Sequence, residues 1–357
     1  MVKILHAADF HLDSAFAGLT PERARLRRQE SREMPGRLVD WANDHGAELL
    51  LLSGDLFDGA EVYPETVEAL VGALGRFRGE VVIAPGNHDP YDSRSPYATA
   101  LWPENVHIFK NDRLERLIFP QYGCAVWGAA FTSERSGALE LPMRFAASED
   151  VALMVMHGDV AAPQSPYRPI FLPEMAQSGL DYVALGHIHQ YSGVKRAEGV
   201  SYAYPGCPEG RGFDELDEKG FLFGTVDKGD VNLEFVPFAR RRYRKIQVDG
   251  AEDAPAACRE VLRECADDIV RLTLVGEGCV DTGALERELS GLAWQLEVRS
   301  EMREAEDLWA HCGEDSLRGA FLEKLRGQFD AAQTEEERAM LIQAVRFGIA
   351  AMEGRDI

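Results

Sequence analysis

The sequence predicts an α/β protein with a layered sheet core flanked by helices, a small α/β module after it, and C-terminal helices. Short apolar runs of strand length recur through the first half of the chain, and helical patterns lie between some of them. Strand and helix patterns alternate again after residue 245. We therefore expect three regions, namely residues 1–245, residues 246–310 and residues 311–357.

Size and composition indicate a globular protein of more than one domain. The chain has 357 residues, of which 45% are hydrophobic, so it can bury a sizeable core. Its first residues become polar too soon for a signal peptide or a membrane span. The six cysteines show no CxxC spacing, which favours reduced thiols over a disulfide or zinc framework. We expect a cytoplasmic protein without a membrane segment.

The net charge of −22 argues against diffuse binding of a polyanion, which requires a basic field. Two basic clusters stand out against it, at residues 23–28 and residues 238–245. Each could contact a phosphate backbone. The alternative, which we favour, is that their arginines are solvated or pair with acidic neighbours.

Five apolar runs in the first region are predicted to be buried strands. Their Val and Ile content and the Gly or Pro residues that follow favour strands over helix fragments. Between the first two runs, Thr20 before Pro21 is typical of a helix start and Gly46 of a helix end. The runs are residues 2–5, 48–52, 80–84, 151–156 and 182–185.

Polar residues follow all five runs at the same end. Ligands collect at the carboxyl ends of strands in layered α/β folds, so this shared polarity predicts one site. A lone His or Asp in such a place is more often structural. However, five of the nine histidines lie at these strand ends, and five independent accidents are a poorer explanation than one convergent site. The residues concerned are Asp9, His11, Asp55, Asn87, His88, Asp89, His157, His187 and His189.

The remaining histidines, His6, His45, His107 and His311, lie outside these motifs and are interpreted as structural.

Aspartate, asparagine and histidine without cysteine are ligands for manganese, iron or zinc. Residues two apart point to the same side of an extended segment, so the paired motifs can converge. The ligands are too many for one ion and suit two ions roughly 3.5–4 Å apart that share a carboxylate, the arrangement used for displacement at phosphorus.

The ordered motifs DFH, GD, GNHD, HG and GHIH resemble those of the calcineurin-like metallophosphoesterase superfamily. The segments GDLFD, YVALGHIH and YPGCPEGRGFDE are similar to those of SbcD-type DNA double-strand-break repair nucleases. This resemblance is strong over residues 1–245 and extends to the remainder only in layout.

The resemblance implies a centre with two divalent metal ions, most simply Mn²⁺. One ion would be held by Asp9, His11 and His189, the other by Asn87, His157 and His187, with Asp55 bridging them.

His88 is implied to be catalytic, stabilising the transition state or protonating the leaving oxygen. Asp89 is interpreted as an orienting partner of His88 or a further ligand. Two departures concern Asp58, where some relatives have histidine, and Cys207, where serine is usual. We expect the first to put a substrate contact in doubt and the second to be mild.

The resemblance further implies that residues 246–310 form a capping domain over the duplex. Residues 311–357 are predicted to form two helices, with a capping box at Thr334. The second helix has an apolar stripe of Leu341, Val345, Ile349 and Met352. This stripe could pack on the chain's own body. The resemblance favours docking of a coiled-coil, SbcC-type ATPase instead.

The expected function is a two-metal-dependent DNA exonuclease or endonuclease of the SbcD type, with DNA as its substrate. The resemblance also implies a homodimer. A phosphodiesterase or phosphatase for small nucleotides on the same core is the alternative. A metal-stabilised scaffold for an ATPase is a third hypothesis, disfavoured by the complete ligand set and by His88.

Overall fold

The computed structural model describes residues 1–59, 61–142, 151–160, 162–216, 218–251, 253–303 and 307–354. The chain divides into two compact units. The first comprises residues 1–246, 261–271 and 289–297, and the second the rest. Within the described residues, every helix is too short or too polar to span a lipid bilayer.

Fifteen strands and eight helices make up the described part of the chain. The strands are β1 Val2–Ala7, β2 Leu49–Leu52, β3 Glu80–Ile83, β4 Val106–Ile108, β5 Glu115–Phe119, β6 Cys124–Ala129, β7 Val151–His157, β8 Tyr182–Gly186, β9 Lys195–Ala197, β10 Val200–Ala203, β11 Gly220–Asp227, β12 Asp230–Pro237, β13 Tyr243–Asp249, β14 Ile269–Val275 and β15 Gln295–Ser300. The helices are α1 Pro21–Asp44, α2 Pro64–Leu74, α3 Pro96–Thr99, α4 Leu172–Gln177, α5 Ala254–Val261, α6 Thr282–Leu289, α7 Leu317–Ala331 and α8 Glu335–Met352.

Two six-stranded mixed sheets form the body of the first unit. Their orders are β12-β11-β1-β2-β3-β4 and β5-β6-β7-β8-β10-β9. Strands β1, β2 and β3 run parallel to one another, as do β6, β7 and β8. A third sheet has the order β13-β14-β15. The predicted α/β class, with sheets flanked by helices, is confirmed.

Buried side chains from both large sheets share one core. Ile4 and Leu51 of the first sheet belong to the same apolar cluster as Leu153 and Ala184 of the second. Burial of this apolar surface is the main force that holds the two sheets together. It also places the carboxyl ends of β1, β2 and β3 near those of β7 and β8.

All five predicted strands are present, as β1, β2, β3, β7 and β8. Helix α1 begins as predicted, with the Thr20 hydroxyl accepting a hydrogen bond from the Arg23 amide. It ends at Asp44, and Gly46 follows with φ +69°. The continuous apolar runs are strands because each is buried on both faces.

The arginines of the two basic clusters mostly pair inside the protein. Arg27 is fully buried and donates to Glu30 at 2.8 Å and to Glu209 at 3.2 Å. Arg241 reaches the same Glu30 at 2.5 Å, and Arg244 pairs with Asp268 at 2.9 Å. For these residues the alternative that they pair with acids is correct, because each carboxylate already holds the guanidinium in place.

The C-terminal helices α7 and α8 pack against each other. The predicted capping box is confirmed, because Thr334 accepts from the Glu337 amide while the Glu337 carboxylate accepts from the Thr334 amide. Leu322, Val345 and Ile349 are buried in a small common core. The central part of the predicted apolar stripe therefore packs on the chain itself.

Candidate metal centre

The residues predicted to bind metal lie at the carboxyl ends of β1, β2, β3, β7 and β8, His157 as the last residue of β7 and the others in the loops that follow. Inside the core below them, His6 bridges the two sheets: its Nδ1 lies 2.8 Å from the Tyr182 hydroxyl and its Nε2 3.1 Å from the Leu185 carbonyl. Burial lowers the pKa of His6 to about 3. His6 is therefore a structural residue, as interpreted.

The structure brings the predicted ligands together. Asn87 Oδ1 lies 2.9 Å from His157 Nε2, and the rings of His157 and His187 are 5.3 Å apart. Three sets of side chains have potential ligand atoms within 4.8 Å of one another: Asp9, His11 and His189; Asp9, Asp55 and His157; and His11, Asp58 and His88.

Left-handed backbone conformations, not extended segments, achieve this convergence. Asp9, His11, Asp55 and His187 have φ values of +56°, +44°, +51° and +114°. The expectation that paired residues converge because their segments are extended was therefore wrong, since the chain turns at these positions. Left-handed non-glycine residues cost about 1–3 kcal/mol each and persist where the surrounding structure over-determines them, commonly at functional sites.

Close backbone approach explains two glycines of the motifs. A Cβ atom on Gly186 would lie 1.9 Å from the Ser53 carbonyl oxygen. One on Gly86 would lie 2.1 Å from Asp55 Oδ1. Only glycine lets the loops after β2, β3 and β8 approach one another this closely.

The hydrogen bonding of His157 leaves a lone pair directed into the cluster. Burial lowers the pKa of His157 to about 4, so the ring is neutral and carries one proton. Its Nδ1 lies 2.8 Å from the Ser53 carbonyl, which can only accept, so the proton is on Nδ1. Nε2 then faces Asn87 Oδ1 and, at 3.4 Å, Asp55 Oδ2. Three acceptors face one another here, as they do around a cation.

Carboxylates hold the other nitrogen of two further histidines. Asp58 Oδ1 lies 2.9 Å from His11 Nδ1, and Glu215 Oε1 lies 2.7 Å from His189 Nδ1. The Nε2 atoms of these two histidines are 3.1 Å apart. Such carboxylate–histidine pairs orient metal-binding imidazoles and raise their basicity.

Arg211 connects these two carboxylates. Its Nη1 donates to Asp58 Oδ1 at 3.1 Å and its Nη2 to Glu215 Oε1 at 2.6 Å. Burial opposes ionisation of Glu215, but hydrogen bonds from His189 and Arg211 hold the pKa of this carboxyl well below its usual value. One guanidinium thus fixes the supports of two predicted ligands. Cys207 is buried beside them, with Sγ 3.7 Å from Glu215 Oε2.

Asp89 has a different role from the one expected. Its carboxylate accepts hydrogen bonds from the main-chain N–H groups of Asp55, Leu56 and Gly86 and from the Tyr97 hydroxyl. Burial raises its pKa to about 7. Asp89 therefore fixes the loop that carries Asp55, and the interpretation that it orients His88 or binds metal was wrong.

The charges of the centre also fit a bound cation. Burial, followed by the nearby Asp55 charge, raises the pKa of Asp9 well above its usual value. Burial opposes ionisation of Asp55 too, but His157 and His11 bring its pKa below the usual value. Two buried carboxylates this close are stable together in ionised form only with positive charge between them. The donor set of Asp, Asn and His suits a divalent ion of the manganese, iron or zinc type.

His88 lies at the open side of the cluster. It is exposed, and its amide donates to Asp55 Oδ1 at 2.9 Å. Its ring is 4.9 Å from that of His11. A cleft of about 940 Å³, which we call the catalytic cleft, is lined by Asp58, Asn87, His88, Arg135 and Tyr167 among others. A substrate can therefore reach His88 from solvent.

Sequence reasoning alone misses the supporting residues. Arg211 and Glu215 stand out in the sequence only as part of a family-like segment, and Asp58 only as a departure from relatives. The sequence signal that could have identified Arg211 and Glu215 as supports is a pair of opposite charges four residues apart, shortly after Cys207. Of the other histidines, His45 stacks on Trp41, and His107 and His311 pair with Glu80 and Glu314.

Comparison with known proteins gives a family model described as "Calcineurin-like phosphoesterase", which matches residues 2–191. "Uncharacterized metallophosphoesterase YhaO" of Bacillus subtilis is 32% identical over 261 residues, covering 70% of this chain and 63% of that protein.

Two further relatives carry names that refer to DNA repair or nuclease activity. "DNA double-strand break repair protein Mre11" of Methanopyrus kandleri is 25% identical over 345 residues, covering 86% of this chain and 72% of that protein. The SbcD component of the nuclease SbcCD of Bacillus subtilis is 24% identical over 258 residues, covering 60% of this chain and 63% of that protein. The alignments with YhaO and with SbcD thus span less than two thirds of those relatives.

Replacing Arg211 tests its role as a support. Arg211→Met should weaken Mn²⁺ binding by roughly tenfold to a hundredfold, because both orienting carboxylates lose a partner. Arg211→Lys should give an intermediate loss, since lysine keeps the charge without the fork geometry. Titration calorimetry with Mn²⁺ measures the affinity.

The matched control is Arg244→Met, which removes a partly exposed guanidinium paired with Asp268 outside the centre. It should leave the Mn²⁺ affinity unchanged. Equal affinities for Arg211→Met and the unaltered protein would contradict the supporting role of Arg211.

Proposed function

We propose a nuclease function for this chain, which belongs to the calcineurin-like phosphoesterase family. Family membership makes it a metal-dependent phosphoesterase. The proposal concerns substrate and mechanism: two divalent metal ions, most simply Mn²⁺, and hydrolysis of phosphodiester bonds in DNA in the manner of an SbcD-type nuclease. The observation that carries it is the convergence of carboxylate and imidazole ligand atoms beside Asn87 and His88, which line the catalytic cleft.

The residues of the centre divide into two ligand sets around a shared carboxylate. Asp9, His11 and His189 would hold one ion and Asn87, His157 and His187 the other, with Asp55 between them. Two ions in such a site supply positive charge that stabilises a phosphate under attack and make water a better nucleophile. The similarity to Mre11 and SbcD relatives supports DNA as the substrate.

The chain's own residues would act on the substrate in the catalytic cleft. His88 is exposed and positioned through its amide by Asp55, so its ring can donate a proton to a leaving oxygen. Arg135 and Tyr167 line the same cleft, where a cation and a phenol ring suit a phosphate and a base or sugar.

A phosphodiesterase or phosphatase for small nucleotides is the second candidate. The observation that favours it is the acidic character of the chain and of part of the catalytic cleft, whose lining includes Asp58, Asp92 and Glu134. These carboxylates repel a long polyanion more than a mononucleotide.

The later regions would serve substrate selection and assembly. We infer that residues 246–310 act as a capping domain, and that residues 311–357 dock a coiled-coil ATPase of the SbcC type. Because Val345 and Ile349 are buried between α7 and α8, docking would use exposed apolar residues such as Leu317, Met340 and Phe347, which are 79%, 71% and 51% exposed.

In the first test, purified protein is incubated with Mn²⁺ and one of two kinds of substrate, either linear duplex DNA or a panel of small nucleotides. The duplex should be degraded and Asp55→Asn should abolish this, because the shared carboxylate is needed for both ions. Elemental analysis should find that Asp55→Asn also loses metal.

Turnover of small nucleotides alone would favour the second candidate, after a repeat with a candidate ATPase present. Retention of both metals by Asp55→Asn would contradict the bridging role. Inactivity on both substrates would favour a scaffold.

His88→Gln tests the proton donor. It should retain both metal ions while turnover of DNA falls roughly a hundredfold or more, since general acid catalysis contributes about that much. Metal content and single-turnover rates measure the two effects. His107→Gln is the control, because His107 pairs with Glu80 away from the centre. Unchanged turnover in His88→Gln would exclude His88 from the mechanism.

Charge insertion on α8 tests the docking surface. Met340→Glu with Phe347→Glu should weaken binding of an SbcC-type ATPase at least tenfold while leaving DNA cleavage by the isolated chain unchanged. Gln328→Glu with Gln343→Glu adds the same charge at exposed polar positions of α7 and α8 and should bind normally. Binding by the first double variant at full strength would rule out this surface.

A further inference from the structure

A second cleft lies next to the catalytic cleft. Its volume is about 380 Å³, and its lining includes Arg211, Phe213, Asp214, Tyr243, Lys245 and Arg271. Three of these six side chains are cationic, two are aromatic and one is acidic. We call it the flanking cleft. It contrasts with the chain as a whole, whose net charge is −22.

One ion pair forms the wall between the two clefts. Arg211 lines the flanking cleft, and its Nη1 donates to Asp58 at 3.1 Å. Asp58 lines the catalytic cleft and accepts from His11. A ligand in the flanking cleft is thus one side chain away from the supports of the metal centre.

One cation of the flanking cleft, Lys245, differs from the other basic residues nearby. Arg241, Arg242 and Arg244 are each held by a carboxylate, either Glu30 or Asp268. Lys245 is exposed, and the structure gives it no ion pair with any residue among those described. Its charge is therefore available to a ligand.

Arg271 is held so that part of its guanidinium faces the cleft. Its Nε donates to Glu297 at 2.8 Å, and the guanidinium stacks 3.9 Å from the centre of the Phe213 ring. Stacking and one ion pair fix the plane of the group, and its remaining N–H donors are not used by Glu297. Glu215, which lies beside Arg211, is neutralised by it, and Asp214, the acid in the lining, is exposed to solvent.

We infer that the flanking cleft is a subsite for the phosphodiester next to the scissile one in the same DNA strand. This inference rests on the proposed nuclease function and specifies how the site selects its substrate. A polynucleotide carries phosphates on both sides of the scissile bond, so it can occupy both clefts together. A mononucleotide or a small diester occupies the catalytic cleft alone. Lys245 and Arg271 thus distinguish a nuclease from an enzyme for small nucleotides.

The experiment compares two substrates in one variant. Lys245→Gln with Arg271→Gln should raise KM for DNA at least tenfold and leave hydrolysis of bis(p-nitrophenyl) phosphate unchanged. The dependence of log(kcat/KM) for DNA on log[salt] should also become shallower, by about one unit of slope for each lost phosphate contact. Lys195→Gln with Arg196→Gln, on the edge strand β9, removes equal charge and should change neither quantity.

Binding of DNA, followed by fluorescence anisotropy in the Asp55→Asn background, separates this inference from the proposed function. Failure of the unaltered protein to cleave DNA would refute the nuclease, yet the anisotropy would still test the subsite. Unchanged affinity and salt slope in the double variant would overturn the subsite. If the double variant loses thermal stability and turnover of both substrates, the single variant Lys245→Gln tests the subsite instead, because this exposed residue can change without loss of packing.

Discussion

The metal centre depends on a constraint that the rest of the structure must satisfy: acceptor atoms are buried facing one another. Asp9 and Asp55 are almost fully buried, and the lone pair of His157 is directed at Asn87 and Asp55. Burying like charges without a compensating cation costs several kcal/mol. The double sheet offsets such a cost with its large apolar core, and that core holds loops whose backbone conformations are themselves unfavourable. The packing that makes the sheets rigid therefore also holds the acceptor atoms in place for binding a cation.

Asp58 is one support that serves two groups of the centre. At this position, where the family resemblance implies histidine in some relatives, Asp58 accepts from His11 and from Arg211. A histidine there could not accept from both at once, because neutral imidazole has one acceptor nitrogen. The aspartate thus joins the ligand support, and the phosphate contact that such a histidine could make must come from elsewhere. Arg135 in the catalytic cleft and the cations beyond Arg211 are the groups available for it.

The strands and the motif residues could be predicted from the sequence because their signals are local. A run such as residues 182–185 is apolar throughout, and its ligands follow at once. The contacts that decide roles are not local. Asp89 accepts from the loop of Asp55, and the partner of Arg241 is Glu30, 211 residues earlier in the chain. Left-handed φ at Asp9 and His11 likewise accompanies hydrogen bonds from their amides to the Gly54 and Asp55 carbonyls, and no glycine in the sequence marks those positions. The convergence of the motif residues and the pairing of basic-cluster arginines with acids could thus be predicted, but the supports of the centre and the partner of each arginine could not.

The acidic composition and a polyanionic substrate are compatible once the pairing of charges is taken into account. Arginines that look like a basic track in the sequence are bound to Glu30, Glu209 and Asp268, so they contribute little field outside the protein. On the proposed nuclease function, attraction of DNA would come from a few cations beside the reacting phosphate, above all Lys245, together with the metal ions. Such a surface would bind DNA weakly elsewhere and confine productive contact to the centre. Selectivity would follow from the position of a small number of charges, not from the net charge of the chain.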